Sequence, residues 1–507
     1  MSCYFGLYFG NTNMCLAMHK DSKTEVLANA AGYRVTPSVI AYLDESEKVV
    51  GLDAKQAMLR NPSNAVTNIK DLITNSPEPE LNNSESKVQQ KVNSKKNTKS
   101  DSEKNGCISQ HGVSDFLAIL FSTMKDIACS HSHEDSYPTV VTVPLNFSES
   151  QRQLVKKAAI EAGFQLLRII SEPSAAALAY NIGQDTNDTS SKCLIFRMGG
   201  TSLNVTILQV SNGMYSVLSS VQKKNFGGHQ VTNCIVNYCA SEFQRQYKVD
   251  IKENKRSVMK LRAAAEHYKH VVHGSTSEKC QVESLYDGID LNITISKARF
   301  DSLIHSTLQQ CLEPIHEALN AASLVVSDIN SVILSGGCCK IPKLQQLISN
   351  TFSAANILYN IVPDEVIAVG AAKQATLVTH SVGEEDFYVK LLSQDLSLKL
   401  TGFSTSDSSD ELLLCSKGTL IPTIITQSFR VTQNSNLKVE IFEGNSETRE
   451  ENSKLLAVLN MPNLPVGDIY FSFHIRSDGS VFASCKDCAS KELGSATLVP
   501  PQTQGCS

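Results

Sequence analysis

The chain has 507 residues, 41% hydrophobic and 19% charged, with 46 Lys and Arg against 51 Asp and Glu for a formal net charge of −5. That length exceeds what one core organises and predicts about two to four domains of an ordinary soluble globular protein. The mild acidity supplies no protein-wide field for DNA, and no apolar run reaches the roughly 18 residues of a membrane span.

MSCYFGLYFG lacks a basic leader, so the 15 cysteines read as reduced core thiols of a cytosolic protein. The first element, Tyr4–Met18, is a strand, a corner at Gly10, Asn11 and Thr12, and a returning strand. Small residues at such a corner let backbone N–H groups approach an anion with no Cβ in the way. Strand-like pieces follow at Val26–Ala28 and Ser38–Leu43, then helices at Asp53–Arg60 and Val66–Ile73, with Asn61 and Pro62 between them. Residues 75–112 are almost devoid of apolar side chains, which predicts a disordered polar insert. Its Lys91, Lys95, Lys96, Lys99 and Lys104 make it either a solvated loop or a contact for RNA or an acidic partner.

A helix at Val113–Ala128 leads to a loop with His131, His133, Glu134 and Asp135, better suited to hydration than to a metal. Thr139–Pro144 is a short apolar strand, and Ser148 caps a helix that runs to Ala162 with Gly163 beyond it. Leu166–Ser171 is another buried strand, and Glu172 and Pro173 open the next helix. Strands alternating with helices mean α/β.

Cys193–Leu208, CLIFRMGGTSLNVTIL, then repeats the opening hairpin with a corner at Gly199, Gly200, Thr201 and Ser202. Two phosphate-sized corners predict a duplicated lobe with a nucleotide between the copies. Phe226, Gly227 and Gly228 precede helices at Val231–Tyr247 and Lys255–Val272, a β unit at Cys280–Leu285 and Asp290–Ile295, and a helix at Lys297–Ala322. Ser331–Leu334 runs into Ser335, Gly336, Gly337 and Cys338 ahead of another helix, again an anion seat. Asp364 and Glu365 precede an apolar helix at Ile367–Thr379.

Beyond about His380 the helical period vanishes. Thr423–Val431, Leu437–Glu443, Lys454–Met461, Asp468–Ile475 and Val481–Cys485 read as strands, the last two joined by a turn at Ser477–Ser480. They predict a separate β-sandwich, in which Cys485 and Cys488 are strand-end thiols rather than a zinc site.

Several blocks, taken in order, resemble the Hsp70 chaperone family: the two hairpins, TVVTVPLNFSESQR, RIISEPSAAALAYNIG, SLYDGIDLNITISKARF, LSGGCCKIPKLQQLI and VPDEVIAVGAA. The likeness covers nearly the whole chain and is strongest to the divergent, lidless branch that forms the Hsp70-like subunit of the ribosome-associated complex. It implies an α/β, duplicated actin-like (ribonuclease H-like) two-lobed ATPase domain at 1–380, a linker at 381–397 and a peptide-binding-like β-sandwich at 398–507. It also implies ATP as ligand and a J-domain co-chaperone, the ribosome and unfolded or nascent polypeptide as partners.

The departures from the family bear on mechanism. Tyr8, Arg197 and Asn204 stand where the family has aspartates around magnesium. A site that has lost those anions and gained a guanidinium is expected to hold Mg2+ poorly, although Arg197 could pair phosphate directly. By the same resemblance Lys70 and Glu172 are the retained catalytic positions. Gly10, Asn11, Thr12, Gly199, Gly200, Gly227, Gly228, Glu266, Lys269, Gly336, Gly337, Cys338 and Asp364 are nucleotide contacts. His270 replaces an adenine-stacking arginine, His273 a serine, and Thr201 and Ser202 narrow the phosphate corner. The expectation is nucleotide binding with very slow hydrolysis or none, with Lys70 and Glu172 otherwise an ordinary ion pair.

Because the sequence ends at Ser507, soon after the last strands, a bound peptide is expected to leave quickly. The altered linker, Phe387–Leu392, puts interdomain coupling in question. Two other readings remain open. One is an active ATP-dependent folding chaperone with a rearranged metal site. The other is a small-molecule kinase on the same scaffold, which would need a carboxylate base and no sandwich.

Overall fold

The computed structural model describes residues 3–44, 47–75, 112–132, 134, 136–183, 191–211, 214–272 and 276–379. Further on it describes 390–391, 396–401, 411–415, 420–421, 423–431, 435–443, 454–464, 467–475, 481–487 and 492–498. The lysine-rich insert, His133, Asp135, His273, Phe387–Val389, Leu392, the turn at 477–480 and Cys488 lie outside the described residues. The chain divides into two compact units, residues 1–213 with 219–383, and residues 214–218 with 384–507.

Two sheets of the same plan organise the first unit. One runs Lys23–Val26, Asn13–Lys20, Tyr4–Phe9, Pro138–Val143, Gln165–Ser171, and the other Met214–Lys224 (of which 219–224 belong to this unit), Ser202–Ser211, Ser191–Met198, Ser331–Ser335, Asn356–Leu358. In each the central strand pairs antiparallel with the hairpin partner that follows it and parallel with a strand reached by a long crossover. The central strands, with Phe5, Leu7, Phe9, Leu194, Phe196 and Met198 all at 0% exposure, are sealed as parallel-sheet strands require.

Small residues fix how the helices lie on the first sheet. A Cβ on Gly6 would sit 2.1 Å from Ala372 N, and one on Gly370 only 1.7 Å from Ala175 O. The helix Val366–Thr379 therefore packs backbone to backbone against strand Tyr4–Phe9 and against the helix Glu172–Ala179. Gly370→Ala should lower stability by at least about 1–3 kcal/mol, because this overlap outweighs the ~1 kcal/mol helix-propensity gain. A urea midpoint equal to or above that of the native chain would contradict this packing.

Several sequence expectations need correction. Val66–Ile73 is not one helix: Ala65–Val66 pairs with Ile40–Tyr42, and a helix begins only at Ile69, after Asn68 at φ 56°. Strand Val26–Ala28 is displaced to Lys23–Val26 because the turn sits at Asp21 and Ser22, both at positive φ. Lys297–Ala322 is two helices, Lys297–Gln309 and Leu312–Ala321. Pro314 has no N–H for the Gln310 carbonyl and its ring would clash there, so the helix breaks. Met214–Lys224 and Asn356–Leu358 are edge strands with no sequence forecast.

In the second unit two four-stranded antiparallel sheets form. Their orders are Glu411–Cys415, Leu396–Thr401, Ser435–Glu443, Lys454–Leu464, and Thr423–Val431, Gly467–Ile475, Val481–Asp487, Glu492–Leu498. Alternate residues are buried in two of the strands, Val439 and Ile441 in one and Ile469, Phe471 and Phe473 in the other. That is the period of a sheet covered on one face. Leu396–Thr401 thus begins inside the segment assigned to the linker.

Candidate nucleotide cleft

The two hairpin corners are built alike: Gly10 N donates to Asn13 O at 2.8 Å and Gly199 N to Ser202 O at 3.0 Å. They also meet. Asn11 Nδ2 donates to Thr201 Oγ1 at 2.9 Å, while Asn11 Oδ1 accepts from Asp71 N at 3.1 Å. A Cβ on Gly200 would lie 2.3 Å from the Thr12 methyl. The narrowing expected from Thr201 is a direct latch between the hairpins.

Beneath the latch, Glu172 sits at the start of its helix, where Ser171 is the N-cap and Pro173 fills the first turn. Glu172 is 2% exposed, Lys70 6% and Arg197 9%, so the charges of all three are nearly cut off from water. Lys70 Nζ is bonded to Glu172 Oε1, and Arg197 Nε lies 3.2 Å from Glu172 Oε2. Arg197 Nη2 donates to the Tyr8 hydroxyl at 2.6 Å. With its amide oxygen turned toward the guanidinium, Asn204 accepts from Arg197 Nη1 at 3.1 Å. Two of the altered positions, Tyr8 and Asn204, therefore converge on the guanidinium of the third.

Burial would raise the Glu172 carboxyl, but Arg197 and then Lys70 hold it below the usual carboxylate range. Burial pushes the Lys70 ammonium down to about 8, with Glu172 resisting and Arg197 adding to the push. Burial also works against the Arg197 charge, yet Glu172 and Tyr8 hold its pKa above the ordinary value. Desolvation raises Tyr8 in spite of Arg197, so it stays a neutral phenol. Near neutral pH two cations thus share one carboxylate.

Tyr8, Asn11, Thr12, Lys70, Arg197, Gly199, Gly200, Thr201, Ser202 and Asn204 line one pocket, with about 50 Å³ open to water. Asp71, Asn146, Gln222 and Lys224 line it too and escaped the sequence reading. Asp71 directly follows Lys70, and that adjacency was the available signal.

A second cluster adjoins Gly199 and Gly200. Gly228 N donates to Gly199 O and His229 N to Gly200 O, each at 2.9 Å, which seats the N-terminus of helix Gly228–Tyr247 on the corner. Gly227 has no room for a side chain, since a Cβ would be 2.6 Å from Gly199 O. Cys338 Sγ donates to the same carbonyl at 3.3 Å. Lys269 Nζ binds Glu266 at 2.7 Å and Gly228 O at 3.3 Å. His270 faces Glu266 at 3.3 Å and is largely exposed. Burial notwithstanding, the His270 bond and the Lys269 charge hold the Glu266 carboxyl well below its usual range.

Gly336 adopts φ 89°, with Met198 O only 2.4 Å from where its Cβ would be, a conformation suited to glycine. Its N–H donates to Pro363 O at 2.7 Å, bringing Asp364 beside this turn. Asp364 Oδ2 pairs with Lys340 at 2.7 Å, and its Oδ1 is buried without a protein partner. Lys340, two residues past Cys338, was missed in the sequence. Gly337 has open space at its Cα.

These groups suit a nucleotide better than a divalent metal. The orphaned Asp364 oxygen and the Glu266–Lys269 pair offer polar groups for a sugar, and the corner amides and cations suit phosphate. Magnesium needs oxygen ligands of negative field, whereas the converging groups are a phenol, an amide and a guanidinium. Like unit charges about 4 Å apart repel by about 4 kcal/mol at an effective dielectric of 20, and a divalent ion doubles that. Among the described residues no cluster of three or more His, Cys, Asp or Glu side chains could hold a metal ion. The residues do not fit magnesium.

The Hsp70 protein family model matches residues 4–501. Heat shock 70 kDa protein 14 of Xenopus tropicalis is 37% identical over 513 residues, spanning 97% of this chain and 98% of its own length. The proteins of that name from Macaca fascicularis and Homo sapiens are 37% and 36% identical over 496 residues, each spanning 95% of this chain and 96% of its own. Matched by that family model and by these relatives along nearly its full length, the chain belongs to the Hsp70 family.

Proposed function

We propose that this chain is an Hsp70-like chaperone subunit that holds ATP between two actin-like lobes and does not turn it over at a useful rate. On this reading the first unit is a duplicated nucleotide-binding domain and the second a peptide-binding-like β-sandwich. A J-domain protein at the ribosome is its partner and nascent chains are its substrates, in the cytosol. The partner and the compartment rest on family likeness. No helix among the described residues is long and apolar enough to cross a membrane.

One observation carries the proposal. The Arg197 guanidinium occupies the junction of Tyr8, Glu172 and Asn204, where the family resemblance places magnesium-organising carboxylates. Phosphoryl transfer relies on positioning and on electrostatic stabilisation of developing charge. Here Glu172 is engaged by two cations, and Lys70 is bound to Glu172. The chain's own residues can orient and neutralise a phosphate tail, but the buried Glu172 carboxylate is already held by two cations and is not free to take a proton from an attacking water. Full-length protein loaded with radiolabelled ATP and passed through a desalting column should retain label as ATP. Recovery of the label as ADP, or no retained label, would refute the proposal.

A further inference from the structure

Arg197, Lys70 and Lys224 line the pocket against Asp71, and Glu172 is joined to the first two. Three cations face two carboxylates, a balance of one net positive charge. A guanidinium presents five N–H donors in a fixed fork. Glu172, Tyr8 and Asn204 engage three of them, and the side chain still borders the pocket. Asn11, Thr12 and Ser202 add neutral hydrogen-bonding groups around the same space. Such a lining repels a divalent cation and matches a phosphoryl group in charge and geometry.

Resting on the reading that this cleft holds nucleotide, we propose that it selects ATP free of divalent metal. Arg197 and Lys70 together supply the positive charge that the phosphate tail otherwise carries with it as magnesium. The preference follows from charge complementarity. Metal-free ATP brings a larger negative charge to a positive site, whereas the magnesium complex brings a cation toward the guanidinium.

Calorimetric titration of the full chain with ATP, once in EDTA and once in excess magnesium chloride, tests this. The expected Kd in EDTA is lower than that in magnesium. A Kd in EDTA equal to or weaker than that in magnesium overturns the inference and leaves nucleotide binding intact, whereas no binding in either buffer overturns both. Asn204→Asp and Arg197→Asp should reverse the preference, weakening binding in EDTA by about tenfold or more, with magnesium recovering it. Asn204→Asp is nearly isosteric and serves if Arg197→Asp does not fold. An unchanged preference in a folded variant overturns the inference.

Discussion

Replacing Glu172 with glutamine should destabilise the first unit by about 3–5 kcal/mol, the cost of leaving a buried charge without its partner. Glutamine keeps the size of the side chain, so the loss reports charge and not packing. Lys70 and Arg197 would remain buried, facing each other across a neutral amide. An exposed pair would matter far less, typically about 0–1 kcal/mol, so the low accessibility of all three groups decides the magnitude. Adding Lys70→Met to Glu172→Gln should restore part of the loss by removing one of the stranded cations. Urea unfolding of the full chain, followed as the first unit's own transition, is the measurement. A loss below about 1 kcal/mol, or no recovery in the double variant, would show that water reaches the triad and that its charges are not coupled.

Much of this fold is legible locally. The glycine corners, the Ser148 cap with its Gln151 partner, Pro173 in a first helical turn and the Asp287–Gly288 turn at positive φ carry short-range signals. Each depends on residues within a few positions, and each lies where the pattern puts it. The small-residue runs around Ala175 and Gly370 were visible as composition, but their meaning, two backbones in contact, needed three dimensions. Pro314 was legible as well and was read past, although a proline in a helical period marks a break four residues earlier.

The site is different in kind. Tyr8, Arg197 and Asn204 stood out only against a family pattern; Arg197 and Asn204 face each other across one hairpin, but nothing in the neighbourhood of Tyr8 says that it meets them. The Arg197–Tyr8 bond spans 189 residues and the Asn11–Thr201 latch 190. Such contacts arise from the pairing of two separate hairpins, which no local period encodes. Arg197, expected to pair phosphate directly, is already engaged by Glu172 at Nε, by Tyr8 at Nη2 and by Asn204 at Nη1. The two N–H groups left over are what remain for a ligand in the pocket that the side chain lines. Nothing local marks Lys340, because its partner Asp364 lies 24 residues away in a loop that the Gly336–Pro363 hydrogen bond helps to bring near.

Single-turnover hydrolysis of ATP by the native chain should run at least about 10⁴-fold below that of an ordinary Hsp70. Loss of one transition-state-stabilising group typically costs about 10²–10³ in rate, and here three positions are altered together. Such losses do not add when groups act as a unit, so the bound is set by two of them, not three. Reinstating the carboxylates in Tyr8→Asp, Arg197→Asp, Asn204→Asp should raise the rate by about 10² or more in magnesium buffer and leave it unchanged in EDTA. Removing Arg197 also releases one edge of Glu172, so the triple variant should outperform Tyr8→Asp, Asn204→Asp, in which the guanidinium still engages that carboxylate. A native chain that hydrolyses at the ordinary family rate would show that the arginine-filled junction imposes no block. A double variant equal to the triple would show that Arg197 is not what prevents turnover.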